Sequence, residues 1–301
     1  MHDVTEHMAD IASNASVPRS ARTVELRCNG LTFPVLIWGP DGGRPIVLLH
    51  GFPQEPATWT QLADALATDG FQLFAPLQRG YSSSTRPHTR AGYTFVQFVE
   101  DVICICDTLG LKSFDVMGFG IAGVQAWMLA ANHPSRIRSL ISLRYPHPAA
   151  FARGIQFDPA QRQKWQQLQE EFGAADIDER ANMMLAGNCA RLRSFLGALQ
   201  LPQPFLDRYV ERLSDPATFI GAFSWERAIS LDSFCDVPAV IVPTLLIWSD
   251  GVGLARSTLE ATRYYVRAPY NEVVLPGAGH FMLETSSAEL LAPIRQHLFS
   301  T

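Results

Sequence analysis

Hydrophobic positions along this chain keep two rhythms. Val24-Glu25-Leu26-Arg27-Cys28 alternates with period two, Asn29-Gly30 supplies a tight turn, and Leu31 to Trp38 continues, which predicts a β-hairpin. Ile46-Val47-Leu48-Leu49 is unbroken apolar, the pattern of a strand buried on both faces of a parallel sheet, and Leu140 to Leu143 reads the same way. Phe71 to Pro76, Thr244 to Trp248 and Glu272 to Leu275 supply further strands. Helical spacing fills the gaps: Trp59 to Thr68, then Phe95, Phe98, Val99, Val102, Cys106 and Leu109, and a last helix from about Ala288 to Leu298. Strands alternating with helices predict an α/β domain with a mostly parallel sheet and flanking helices.

Between Pro146 and about Val237 the strand rhythm disappears. Gln161 to Phe172, Asp178 to Asn188, Pro204 to Leu213 and Pro216 to Ile229 read as helices. This predicts a helical cap over residues 147–237, inserted between two parts of one α/β core, 21–146 and 238–301. Its expected place is over the carboxyl ends of the strands, where open α/β sheets bind ligands. Residues 1–20 are polar, with no apolar core run, and read as a disordered lead rather than a signal peptide.

One stretch organises the rest. Leu111 to Met117 is a short apolar run of strand type, Gly118-Phe119-Gly120-Ile121-Ala122-Gly123 follows, and Val124 to Asn132 is helical up to His133-Pro134. A strand that turns sharply through small residues into a helix has the geometry of a G-x-S-x-G nucleophile elbow. The position that would present the attacking atom is Gly120, which has no side chain. Gly118, Gly120 and Gly123 also fit a dinucleotide-binding spacing, but the stretch lies mid-sheet and the acidic residue expected about 20 positions on is missing near Ile141.

Composition narrows the setting. With 47% hydrophobic and 18% charged residues and a net charge of −5, the chain has no footprint for a nucleic-acid or anionic-membrane partner. The longest charge-free apolar run, Val116 to Asn132, is too short and too glycine-rich to span a bilayer. Five scattered cysteines without C-x-x-C spacing read as free thiols in a reducing compartment, so a cytoplasmic protein is expected. The sequence contains no metal constellation and no phosphate-cradling loop, so neither metal nor cofactor is expected. The expected partner is a small-molecule substrate; a homodimer is left open.

Several segments in order resemble the epoxide hydrolase and haloalkane dehalogenase branch of the α/β-hydrolase superfamily. His50-Gly51-Phe52-Pro53 is similar to that branch's oxyanion loop, and Ala75 to Ser82 to its Pro-Asp-x-Arg-Gly motif. Pro146-His147-Pro148 resembles the start of its cap, Phe223 to Ala228 its Leu-Asn-Trp-Tyr-Arg-Ala motif, and Leu275 to Phe281 its catalytic-histidine loop. The resemblance, which runs from about Val24 to Leu298, implies an α/β-hydrolase fold with an inserted cap. The departures bear on chemistry. Where the branch has its Asp nucleophile this chain has Gly120, and the cap Tyr is Glu226. Pro-Asp is Pro76-Leu77, and the position of the triad acid is Val252, with Asp250 two residues earlier. Only His280 remains of the triad. Because Phe119 and Ile121 depart from the pattern as well, natural divergence explains the set better than one engineered change.

The candidate site follows from these residues. His280 is expected to work as general acid or base, for which an imidazole titrating near neutrality is suited, with Asp250 as a candidate for orienting it. Glu226 is either a cap surface carboxylate paired with an arginine or, inside the cavity, a proton donor with a raised pKa. The backbone N–H groups of Phe52 and Ile121 are the expected oxyanion donors, because that role needs no particular side chain. Phe119, Arg144, Tyr145 and Trp165 are expected to bind substrate, Arg144 by holding a carboxylate or enolate, and His147 to be structural. The leading functional expectation is proton-transfer chemistry without a covalent intermediate, a lyase, cyclase or isomerase acting on a small apolar carbonyl compound. Hydrolysis of an epoxide, ester or lactone by His280-activated water, and a ligand-binding protein without catalysis, are the alternatives.

Overall fold

The structure, a computed structural model, describes residues 20–172, 176–249 and 253–301. The expected N-terminal lead therefore lies outside the described residues except for its last position. Eight strands form one sheet: β1 (Arg22–Cys28), β2 (Leu31–Trp38), β3 (Arg44–Leu49), β4 (Phe71–Pro76), β5 (Phe114–Phe119), β6 (Ile137–Leu143), β7 (Thr244–Trp248) and β8 (Tyr270–Val274). Their order is β1-β2-β4-β3-β5-β6-β7-β8, antiparallel at β1/β2 and β2/β4 and parallel elsewhere. The hairpin closes at Asn29 and Gly30, both with positive φ, as a two-residue turn matched to strand twist requires. In β3, Val47 and Leu49 face one apolar layer while Ile46 and Leu48 face the other. An uninterrupted apolar run is the period-two signature of a strand with a core on each side.

Helices α1 (Thr60–Thr68), α2 (Phe95–Thr108) and α3 (Ala122–Asn132) connect the first strands. The elbow strand starts at Phe114 rather than at Leu111, where the apolar run begins. The cause is local: the Leu111 N–H bonds to Cys106 O (2.8 Å) and the Gly110 N–H to Asp107 O (3.0 Å), with Gly110 at φ +72°. That is a Schellman closure, which assigns Leu111 to the end of α2.

Between β6 and β7 the chain forms α4 (Pro148–Phe157), α5 (Pro159–Phe172), α6 (Ile177–Ala198), α7 (Gln203–Leu213), α8 (Pro216–Arg227) and α9 (Leu231–Cys235). The sequence pattern did not predict α4. Proline is favoured at a first helical position, and His147 caps the helix by accepting the Ala149 N–H on Nδ1 (3.1 Å). The His147 ring is buried, donates from Nε2 to Pro238 O (3.1 Å) and stacks on Tyr265, in line with a structural role. The helix expected to end at Asn188 does break there, with positive φ at Gly187, Asn188 and Cys189, and then resumes. After β7 come α10 (Arg256–Glu260), α11 (Met282–Thr285) and α12 (Ser287–Phe299). Among the described residues no helix is long and apolar enough to cross a membrane.

Candidate active site

Three glycines shape the bend between β5 and α3, each for a different reason. A Cβ on Gly118 would lie 2.5 Å from Ala122 O and 2.8 Å from the Ala126 Cβ, so α3 packs directly on the strand. A Cβ on Gly123 would lie 2.7 Å from the Tyr145 Cβ, which brings the end of β6 against the same helix. Gly120 differs: its φ is +57°, and a Cβ there would meet nothing within 4 Å. The elbow thus keeps its left-handed conformation and the open space that an attacking side chain would occupy.

The loop after β3 is fixed against this bend. A Cβ on Gly51 would lie 2.7 Å from Phe119 O and 3.5 Å from Ile121 N. His50 accepts the Gln78 N–H on Nε2 (3.2 Å) and donates from Nδ1 to Gly51 O (3.1 Å), while Tyr81 Oη–H also donates to Gly51 O (3.0 Å). Burial pushes the His50 imidazole down to about 3, so it stays neutral and keeps this tautomer. Among the described residues neither the Phe52 nor the Ile121 N–H makes a hydrogen bond, and both residues line the cavity in front of Gly120.

That cavity, about 170 Å³, runs between the sheet's carboxyl end and the helices that follow β6. Apolar walls come from Phe151, Trp165, Phe195, Leu199, Phe223 and Ile229. Of the residues expected to bind substrate, Arg144, Tyr145 and Trp165 line it. Phe119 does not, which corrects the expectation. As the last residue of β5 its side chain falls on the opposite layer, in the core with Trp59, Leu143 and Met282, under the Arg144 guanidinium (5.8 Å to the ring). Asp250 and Val252 lie outside the described residues.

Glu226 opens onto the cavity rather than onto bulk solvent, so the surface reading of this residue is set aside. Its neighbours explain the placement. Trp225 stacks on Phe98 (3.8 Å between centroids) and donates from Nε1 to Arg79 O (2.9 Å). Arg79 is itself locked by two 2.7 Å bonds to buried Asp101. Gly80 and Gly221 touch backbone to backbone, where a Cβ on either would collide with the other. Glu226 is thereby aimed inward at the end of α8. Its carboxyl makes no hydrogen bond or ion pair among the described residues, and burial pushes it up to about 7 against the pull of Arg144.

Arg144 sits at φ +76°, a conformation costing a non-glycine residue about 1–3 kcal/mol and found mostly at functional sites. Its N–H donates to Ile247 O (2.7 Å) and its guanidinium to His280 O (3.3 Å); burial lowers it to about 10. Burial, and then Arg144, push His280 well below the ordinary imidazole value. The expectation of a histidine titrating near neutrality is therefore corrected: His280 lines the cavity as a neutral ring. Tyr145 is pushed well above the usual phenol value by burial, then by Glu226, and stays protonated.

The sequence reading missed Lys164 and Gln161, which line the cavity beside Trp165. Their i, i+3, i+4 spacing on α5 was a readable signal of one shared face. It also missed a buried chain beside the site. Thr58 Oγ1 lies 2.8 Å from Tyr209 Oη, whose O–H donates to Glu284 Oε1 (2.8 Å), as does Gln54 Nε2 (3.2 Å).

Comparison with known proteins agrees with this geometry. A family profile described as alpha/beta hydrolase fold matches residues 44–287. Epoxide hydrolase A of Mycobacterium tuberculosis (strain ATCC 25618 / H37Rv) is 26% identical over 313 residues, covering 90% of this chain and 95% of that protein. The AB hydrolase superfamily protein YfhM of Bacillus subtilis (strain 168) is 29% identical over 225 residues, covering 73% and 78%. The crystal structure of Bacillus megaterium epoxide hydrolase in complex with an inhibitor superposes with a TM-score of 0.79 at 20% identity, covering 91% of this chain and 99% of that one. A strained glycine elbow, an oxyanion-type loop beside it and a family profile spanning most of the sheet converge: the chain belongs to the alpha/beta hydrolase fold family, on its epoxide hydrolase branch.

Proposed function

We propose that this protein is an enzyme that moves a proton on a small carbonyl-containing substrate without forming a covalent intermediate, the helices between β6 and β7 serving as its cap. One observation carries the reading. The elbow position has space but no side chain, while the same cavity holds Glu226, a carboxyl that titrates near neutrality and has no hydrogen bond of its own among the described residues. A group whose pKa lies near the working pH is the best placed to give and take a proton. The substrate oxygen sits at the Phe52 and Ile121 amides. As the C–H bond beside the carbonyl breaks, charge builds on that oxygen and the amides stabilise it, as they would a tetrahedral oxyanion. Glu226 carries the proton. Neutral His280, a weak base once its pKa is pushed down, positions the substrate by hydrogen bonding.

Acetophenone, a single-ring ketone, tests this in D2O by loss of its methyl proton signal. Exchange in the wild type that disappears in Glu226→Gln and persists in His280→Gln supports the reading. Exchange indifferent to Glu226, or any mass increase of the intact protein during turnover, overturns it.

A second reading is favoured by relatives named epoxide hydrolases and by the room at Gly120. There a water in that space, activated by His280, attacks the substrate directly. Single-turnover opening of styrene oxide in ¹⁸O-water then places the label in the diol at the first turnover, and His280→Gln abolishes it.

A further inference from the structure

Helix α7 lends no described side chain to the cavity wall, yet three of its residues grip the loop that carries Phe52. Glu55, three residues after Phe52 and only 2% exposed, pairs with Arg208 (2.9 Å between Nε and Oε1) and accepts from Arg212 Nε on its other oxygen. The two arginines stand one helical turn apart, so a single carboxylate meets both. Next to this pair runs a chain of hydroxyls. The Glu55 N–H donates to Thr58 Oγ1 (3.3 Å), which lies 2.8 Å from Tyr209 Oη. Tyr209 gives its one proton to Glu284 Oε1 (2.8 Å), so the Thr58 hydroxyl is the donor to Tyr209. Gln54 Nε2 donates to the same Glu284 oxygen (3.2 Å), which closes the chain on the residue before Glu55.

Glu284 belongs to the other side of the site. It lies four residues after His280, in α11, and its N–H bonds to Phe281 O (3.0 Å). Tyr209 and Gln54 therefore tie the backbone next to His280 to the backbone next to Phe52. Phe52 and His280 line the cavity; Gln54, Glu55, Thr58, Tyr209 and Glu284 do not. Replacing a buried ion cluster with apolar side chains of like volume is often neutral or stabilising, so stability alone gives such a cluster little reason to exist. Directional bonds add something that apolar packing does not, a fixed distance between the two loops. An oxyanion donor works only within hydrogen-bond reach of the oxygen, and a loop free to drift would forfeit it.

We propose that Glu55, Tyr209 and Glu284 are positioning residues: through α7 they hold the Phe52 amide at the substrate oxygen and the His280 loop in register with it, without touching the substrate. The proposal rests on the reading above only in placing that oxygen at the Phe52 and Ile121 amides.

Isotope-edited infrared spectroscopy of bound acetophenone, labelled with ¹³C at the carbonyl, tests this because the C=O stretch falls as donors approach its oxygen. In the wild type the stretch is expected below its value in hexane. Tyr209→Phe and Glu55→Gln are each expected to return about half or more of that fall, the share of one of the two amide donors. Glu284→Gln keeps an oxygen for Tyr209 and Gln54 and is expected to retain it. Leu298→Ala, a truncation of a buried side chain on α12, controls for lost stability and is expected to leave the stretch where it is. A wild-type carbonyl that does not shift, a full shift kept in Tyr209→Phe or Glu55→Gln, or an equal loss in Glu284→Gln or Leu298→Ala overturns the assignment. None of these measurements needs turnover. A stretch that answers to Tyr209 without any Glu226-dependent exchange removes the proton-transfer reading and leaves this one standing; Glu226-dependent exchange with a stretch indifferent to Tyr209 does the reverse.

Discussion

Replacing glycine by alanine along the elbow separates a position shaped by packing from one shaped by chemistry. At Gly118 a new Cβ would press on Ala122 O at 2.5 Å and on the Ala126 Cβ at 2.8 Å. Neither is the end of a flexible side chain, so α3 must shift from the strand. Such overpacking costs about 1–3 kcal/mol, and more where backbone must move. At Gly120 the Cβ meets nothing within 4 Å, and only the left-handed backbone at φ +57° resists it. That strain is about 1–2 kcal/mol. The restricted unfolded chain returns about 0.4–1 kcal/mol of it. Gly120→Ala should therefore cost about 0–1.5 kcal/mol, and Gly118→Ala roughly 2 kcal/mol or more. Urea unfolding followed by tryptophan fluorescence measures both, and Gly123→Ala, facing the Tyr145 Cβ at 2.7 Å, should group with Gly118→Ala. Equal losses at 118 and 120, or a neutral Gly118→Ala, would refute the claim that Gly120 marks a vacant attacking position rather than a packing contact.

Further expectations concern buried charge. Glu226 titrates near 7 in the folded protein and near 4.5 when free, so its stabilising contribution is complete below about pH 4.5 and is lost as pH rises through about 7. That gap corresponds to about 3 kcal/mol, so Glu226→Gln should be more stable than wild type by roughly 2–3 kcal/mol at pH 8.5 and about equal at pH 4.5 by urea unfolding. Asp101→Asn leaves buried Arg79 without its counter-charge and should cost about 3–5 kcal/mol, seen as a lower thermal midpoint; a loss under 1 kcal/mol would contradict the pairing. Tyr209→Phe removes the hydroxyl joining Thr58 to Glu284 and should cost about 1–3 kcal/mol with the ring packing retained, measured the same way.

The sheet was legible because its signal is repetitive: in β3, alternate residues fill two apolar layers, so the run is apolar throughout. The elbow was legible because glycines at 118 and 123 answer to steric contacts a few residues away. Helix α4 was not, because Pro146-His147-Pro148 reads as a break, whereas here the second proline is the first helical residue. Phe119 was placed in the cavity when its strand position directs it to the core. The proton-active group was also misplaced. An imidazole's pKa depends on burial and on the charge beside it, and neither Arg144's approach to the His280 loop nor the enclosure of Glu226 follows from spacing along the chain.

These electrostatics follow from one another. In the branch this chain resembles, the elbow carries an aspartate. With Gly120 that negative charge is gone, while Arg144 remains beside the histidine loop. Burial disfavours an imidazolium at His280, and the Arg144 guanidinium, bonded to the His280 carbonyl, disfavours it further. The same burial acts with opposite sign on Glu226: it raises a carboxyl toward neutrality, and Arg144 keeps it from rising further. Burial thus lowers the histidine and raises the glutamate, while Arg144 opposes charge on the one and favours it on the other. In the proposed reading the proton is carried by Glu226 at the end of α8, which lines the same cavity as His280, Phe52 and Ile121.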